Sequence, residues 1–150
     1  MKKINTYITE KLKIRKSSYK YFPKTKKELK DILRELIKER GNEGDFNDID
    51  TSKITDMSEL FNFMENFNGD ISKWDVSNVT SMERMFYWCE SFNQDISNWD
   101  VSNVNNMKLM FCNCQSFNQD ISEWDVSNVT DIESMFTHCS IEEKYKPKFK

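Results

Sequence analysis

The feature that most constrains this chain is a period of 25 residues. Trp74, Trp99 and Trp124 mark it, each followed by Asp, Val, Ser, Asn and Val (Asp75 to Val79, Asp100 to Val104, Asp125 to Val129). A second block precedes two of the three tryptophans: Phe92-Asn93-Gln94-Asp95-Ile96-Ser97 and Phe117-Asn118-Gln119-Asp120-Ile121-Ser122. A weaker copy begins earlier, because Gly44-Asp45-Phe46-Asn47-Asp48-Ile49-Asp50 aligns with Gly69-Asp70-Ile71-Ser72-Lys73-Trp74-Asp75. Self-similarity at a period of this size predicts a repeat array in which each unit shares its core with its neighbours.

Two patterns alternate within a unit. Met82, Met85, Phe86 and Cys89 lie at i, i+3, i+4 and i+7, the spacing of one helical face. Met107, Met110, Phe111 and Cys114 repeat it, as do Ile132, Met135, Phe136 and Cys139. The stretch Phe92 to Ile96 reads as a short strand with both apolar ends inward. The predicted fold class is therefore an α/β repeat solenoid, a curved coil of short parallel strands and short helices. The recurring polar residues are read as scaffold. Asn68, Asn93 and Asn118 would hold backbone groups at corners, and the recurring aspartates would accept local amide hydrogens in Asx-turns.

Ahead of the repeats, Thr25 and Glu28 form a capping box. Leu29, Ile32, Leu33, Leu36 and Ile37 make one apolar stripe, and Gly41 supplies the stop. This predicts an amphipathic helix covering the open end of the first unit. The domain reading is a basic N-terminal arm over 1–23, a capping helix over 24–43, about four repeats over 44–140 and a charged tail over 141–150.

Charge divides along the same boundaries. Residues 1–40 carry 14 Lys and Arg against 5 Asp and Glu, whereas residues 41–140 carry 4 against 18. The basic arm, with Lys2, Lys3, Lys11, Lys13, Arg15 and Lys16, is a candidate contact for nucleic acid or another anionic surface. No apolar run reaches the length of a membrane span, and Met1-Lys2-Lys3 lacks the apolar stretch of a secretory signal. The expected location is cytoplasmic or virion-associated, without a signal peptide or lipoprotein leader.

The unit from Phe92 to Val104, with Met107, Met110, Phe111 and Cys114 downstream, resembles the BspA-like leucine-rich-repeat proteins, a subgroup found as bacterial and mycoplasma surface antigens. The resemblance spans roughly residues 44–140. It implies a leucine-rich-repeat-like right-handed coil and a protein- or host-binding role without enzymatic activity. Short, leaderless versions with a lysine-rich head resemble phage-associated proteins, so a structural, virion-associated role is the alternative implied.

Catalytic signatures are missing from the sequence. His138 is the one histidine, no phosphate-binding glycine loop or nucleophile elbow occurs, and the cysteines lack zinc-site spacing. A calcium ladder would need glycine-rich turns, and the chain has three glycines. The expectation is no enzyme, no cofactor and no metal, with Cys89, Cys114 and Cys139 as small buried residues. Specificity should then lie in slots that change between units. The candidates are Phe63, Trp88, Asn113 and His138 in one column, with Tyr87 beside Trp88. The expected partner is an unidentified protein, and the expected oligomeric state is a monomer or a weakly self-associating chain.

Overall fold

The computed structural model describes residues 18–150. One α-helix lies wholly within them, α1 at Lys26–Arg40. Its start follows from local chemistry. The Thr25 hydroxyl accepts the Glu28 amide hydrogen (3.2 Å), and the Glu28 carboxylate reaches back to the Lys24 amide (2.7 Å). Glu28 in the first turn and Lys38 and Arg40 in the last suit the helix dipole. Gly41 ends the helix at φ 80°, donating its N–H to the Ile37 carbonyl. Leu29, Leu33 and Leu36 are buried in the same apolar core as the repeats.

The α/β coil of short strands and short helices predicted from the sequence is not what forms. Among the described residues there is no β-strand, and the repeats contain no α-helix. β-Type pairing between units is limited to isolated parallel bridges, such as Asp56 to Ser81, Ser81 to Asn106 and Asn106 to Asp131.

The reason lies in where the amide hydrogens go. Over Met82–Cys89, alternate amides leave the unit: Met82, Arg84, Phe86 and Trp88 donate to the carbonyls of Asn106, Lys108, Met110 and Cys112 at 2.9–3.0 Å. The amides between them stay local, with Met85, Tyr87 and Cys89 bonding three residues back. A helix would need every amide directed four residues back along a backbone of negative φ. Here Arg84 and Trp88 turn left-handed, at φ 51° and 59°, and the equivalent pair does so in every unit. The apolar spacing is nonetheless helix-like, because a run of three-residue turns also places Met82, Met85, Phe86 and Cys89 on one buried side.

The predicted strand fails for a related reason. Polar side chains occupy the groups a ladder would use. Asn93 N–H donates to Asn68 Oδ1 (2.9 Å), and Gln94 Nε2 to the Asn68 carbonyl (3.1 Å). Ser97 N–H turns to Asp95 Oδ1 (2.9 Å). Both serine hydrogens go to that same oxygen, and Asp100 treats Ser102 alike. The recurring aspartates are therefore Asx-turn acceptors, and each asparagine links one unit to the next.

The core is a set of aromatic columns with the period of the sequence. Phe61, Phe86, Phe111 and Phe136 stack with ring centroids 5.4–5.9 Å apart and planes within 8°. Phe67, Phe92 and Phe117 form a second column at 5.9–6.1 Å, joined to the first by close stacks such as Phe86 on Phe92 at 4.1 Å. Each buried ring removes enough apolar surface from water to stabilise the fold by about 1.5–3 kcal/mol. The tryptophans carry a polar handle into this core. Trp74, Trp99 and Trp124 donate Nε1–H to the carbonyls of Phe46, Ile71 and Ile96 at 3.0–3.2 Å.

Candidate functional site

The variable column runs along one side of the repeats. Its members are linked through the backbone. Phe63 N–H donates to the Tyr87 carbonyl, Trp88 N–H to that of Cys112, and Asn113 N–H to that of Thr137 (2.8–3.0 Å). All four column residues are left-handed: Phe63 at φ 60°, Trp88 at 59°, Asn113 at 62° and His138 at 53°. Asn and His are residue types that tolerate this region, whereas bulky aromatics rarely enter it. Asn113 and His138 thus match the local backbone demand, and Phe63 and Trp88 do not. Left-handed backbone at a residue with a side chain costs about 1–3 kcal/mol.

Phe63 is 61% exposed, the most exposed of the large apolar side chains described. Its ring meets Tyr87 edge-on at 5.3 Å, and Tyr87 meets Trp88 edge-on at 6.4 Å. The Arg84 guanidinium lies 6.0 Å from the Tyr87 ring centroid and pairs with Glu59 at 3.7 Å. Phe63, Tyr87 and Trp88 therefore form a continuous aromatic strip with a cation at its edge. Asn113 is half-buried and His138 exposed, and they continue the column without adding aromatic surface. A groove beside Phe63 and Met64 is walled on the other side by Arg34, Ile37 and Lys38 of α1.

Arg84 and the groove against α1 are absent from the sequence reading. The groove depends on how α1 lies on the first unit, which no local pattern specifies. The left-handed backbone had one signal: a slot filled by Asn in one unit and His in the next. The basic arm residues Lys2, Lys3, Lys11, Lys13, Arg15 and Lys16 lie outside the described residues.

The cysteines are free thiols; Cys89, Cys112 and Cys114 are buried, whereas Cys139, expected to be buried, is half-buried against the edge of the core. Burial pushes the Cys89 thiol up to about 12 and raises that of Cys114 as well. Each instead donates S–H to a carbonyl, Cys89 to Phe61 (2.8 Å) and Cys114 to Phe86 (2.9 Å). A thiol held neutral in this way is a poor nucleophile and a poor metal ligand. Among the described residues no group of three or more His, Cys, Asp and Glu is placed to hold a metal ion. No helix there is long and apolar enough to cross a membrane.

No curated protein and no solved structure matches the chain. A family model described as "Mycoplasma protein of unknown function, DUF285" matches residues 28–148, a span that includes most of α1 and every repeat. On that coverage, the chain belongs to the DUF285 family.

Proposed function

We propose that this protein is a non-enzymatic protein-binding module, related to the BspA-like surface repeat proteins, that holds its partner on the strip formed by Phe63, Tyr87 and Trp88. One observation carries the reading. The backbone at positions 63 and 88 favours Asn, His or Gly, yet it holds bulky aromatics that contribute nothing to the stacked core. The exposed Phe63 and the half-buried Tyr87 and Trp88, beside an arginine, have the composition of interface anchors, since aromatics bring much apolar area at little conformational cost. The relationship to BspA-like proteins is supported by the mycoplasma family assignment and by the repeating Phe-Asn-Gln-Asp-Ile-Ser unit.

The test uses the residue that the third unit carries at this slot. Phe63→Asn and Trp88→Asn suit the left-handed backbone, so both variants should keep the wild-type melting temperature. Affinity capture from cells of the source should recover a partner with the wild-type chain and lose it with the double variant. Equal recovery by both would refute the aromatic strip as the binding surface.

A further inference from the structure

The two ends of the repeat stack are chemically opposite. Within it, Met107, Leu109, Phe111 and Asn113 donate their amides to the carbonyls of Asp131, Glu133, Met135 and Thr137, each 24 residues on. In the last unit the equivalent donors are Ile132, Ser134, Phe136 and His138. Their amide hydrogens have no acceptor among the described residues. Ile132, equivalent to the fully buried Met57, Met82 and Met107, is 41% exposed.

Part of this end is covered by the chain itself. Glu142 N–H donates to Asn118 Oδ1 (2.9 Å), continuing the asparagine links of the preceding units. Ile121 N–H donates to the Tyr145 carbonyl (3.0 Å), and Ile141 is buried. Residues 141–149 thus stand in for one side of a fifth unit. They leave the amide row unpaired, beside a groove that Ile132 and Met135 share with Lys146 and Phe149.

The other end is closed. Its free carbonyl row, Asp56 to Asn62, lies under α1, where Lys26 Nζ bonds both Asp56 Oδ2 and Ser58 Oγ at 2.8 Å. A second copy could pair its carbonyl row with the open amides only by lifting α1 and exposing Leu29, Leu33 and Leu36.

We propose that the open amide row docks a different polypeptide built on the same 25-residue unit, whose turn row supplies carbonyls on alternate residues. The complementarity is that of the interface already present between successive units: a row of donors meets a row of acceptors, with Met and Phe side chains closing over Ile132 and Phe136. This surface is separate from the aromatic strip and stands independently of the function proposed there. Unpaired edge groups of this kind template the addition of another chain.

The probe is a synthetic peptide with the sequence of residues 99–123, carrying Cys112→Ala and Cys114→Ala, added to the full chain. Amide hydrogen exchange, read residue by residue, should slow at Ile132, Ser134, Phe136 and His138 and stay unchanged at Met107. Ile132→Lys places a charge on the edge and should weaken peptide binding by about tenfold or more. Its fold is checked by unchanged protection at Met107. No slowing at about 1 mM peptide, corresponding to only about −4 kcal/mol, would overturn the proposal, as would binding indifferent to Ile132→Lys. If the four amides are already protected without peptide and sedimentation gives twice the chain mass, a second copy fills the site and the assignment to a different polypeptide fails.

Discussion

Gly69 offers a sharp test of how the first units fit together. A Cβ at this position would lie 2.3 and 2.6 Å from the Phe46 ring and 2.9 Å from the Phe67 ring, against about 3.5–4.0 Å for ordinary carbon contact. The Phe46 ring has little room to retreat, with the Phe67 centroid 5.8 Å away and the Arg40 guanidinium at 6.0 Å. Gly69 itself is outside the left-handed region, so the cost of Gly69→Ala is steric. Overpacking of this kind destabilises by about 1–3 kcal/mol. For a chain of this length that lowers the melting temperature by about 2–12 °C.

The repeat supplies its own control. Later units carry Ile71, Ile96 and Ile121 where the first has Phe46, and Gln94 and Gln119 where the second has Gly69. Phe46→Ile alone should cost about 1–2 kcal/mol through lost packing. Combined with Gly69→Ala it should cost less than the sum, by about 1 kcal/mol or more, because the ring that clashes is gone. Urea denaturation of the four chains of the cycle measures this coupling. Additivity within about 0.5 kcal/mol would mean that the glycine is not there to admit the Phe46 ring.

Two further outcomes follow from the inter-unit bonds. Trp99→Phe keeps the apolar character but removes the indole donor to the Ile71 carbonyl, which retains the Trp74 amide at 3.1 Å, and should lower stability by about 0.5–1.5 kcal/mol in the same denaturation assay; a loss well under about 0.5 kcal/mol would mean that the indole hydrogen bond does not contribute. The Ser97 and Ser102 hydrogen bonds hold the Asp95 and Asp100 carboxyls below their ordinary range, and Arg40 does the same for Asp48. Depressed carboxylates stabilise the folded chain above the unfolded pKa of about 4, and that contribution is lost as pH falls through the folded values. Melting temperature should therefore fall steeply below about pH 4, less so for Asp95→Asn, and an equal slope in that variant would exclude Asp95 as a contributor.

Much of the core could be read before the structure. Met82, Met85, Phe86 and Cys89 and their equivalents in the third unit are buried, and α1 falls where Thr25, Glu28 and Gly41 bound it. The error was in the backbone. Met, Met, Phe and Cys at i, i+3, i+4 and i+7 fit a helix and a run of three-residue turns equally well, since both bring those positions to one side. Choosing between them requires knowing that the Arg84 and Trp88 amides have acceptors at Lys108 and Cys112. The strand reading over Phe92–Ile96 failed similarly, because Asn68, from the preceding unit, takes the Asn93 amide. In the candidate site, Phe63, Tyr87 and Trp88 were identifiable as variants within a fixed frame. Their contact with one another, and the cation from Arg84, were not.

The sequence by itself determined the period, the identity of the stacked residues and the start and stop of α1. Those depend on recurrence and on groups within a few residues of each other. Only the tertiary structure decided the course of the chain within each unit, the left-handed backbone at Phe63 and Trp88, and the open amide row at the last unit. Each of these depends on hydrogen bonds between residues 24 positions apart. In this fold half of the turn amides find their partners in the neighbouring unit, so local sequence could not assign them.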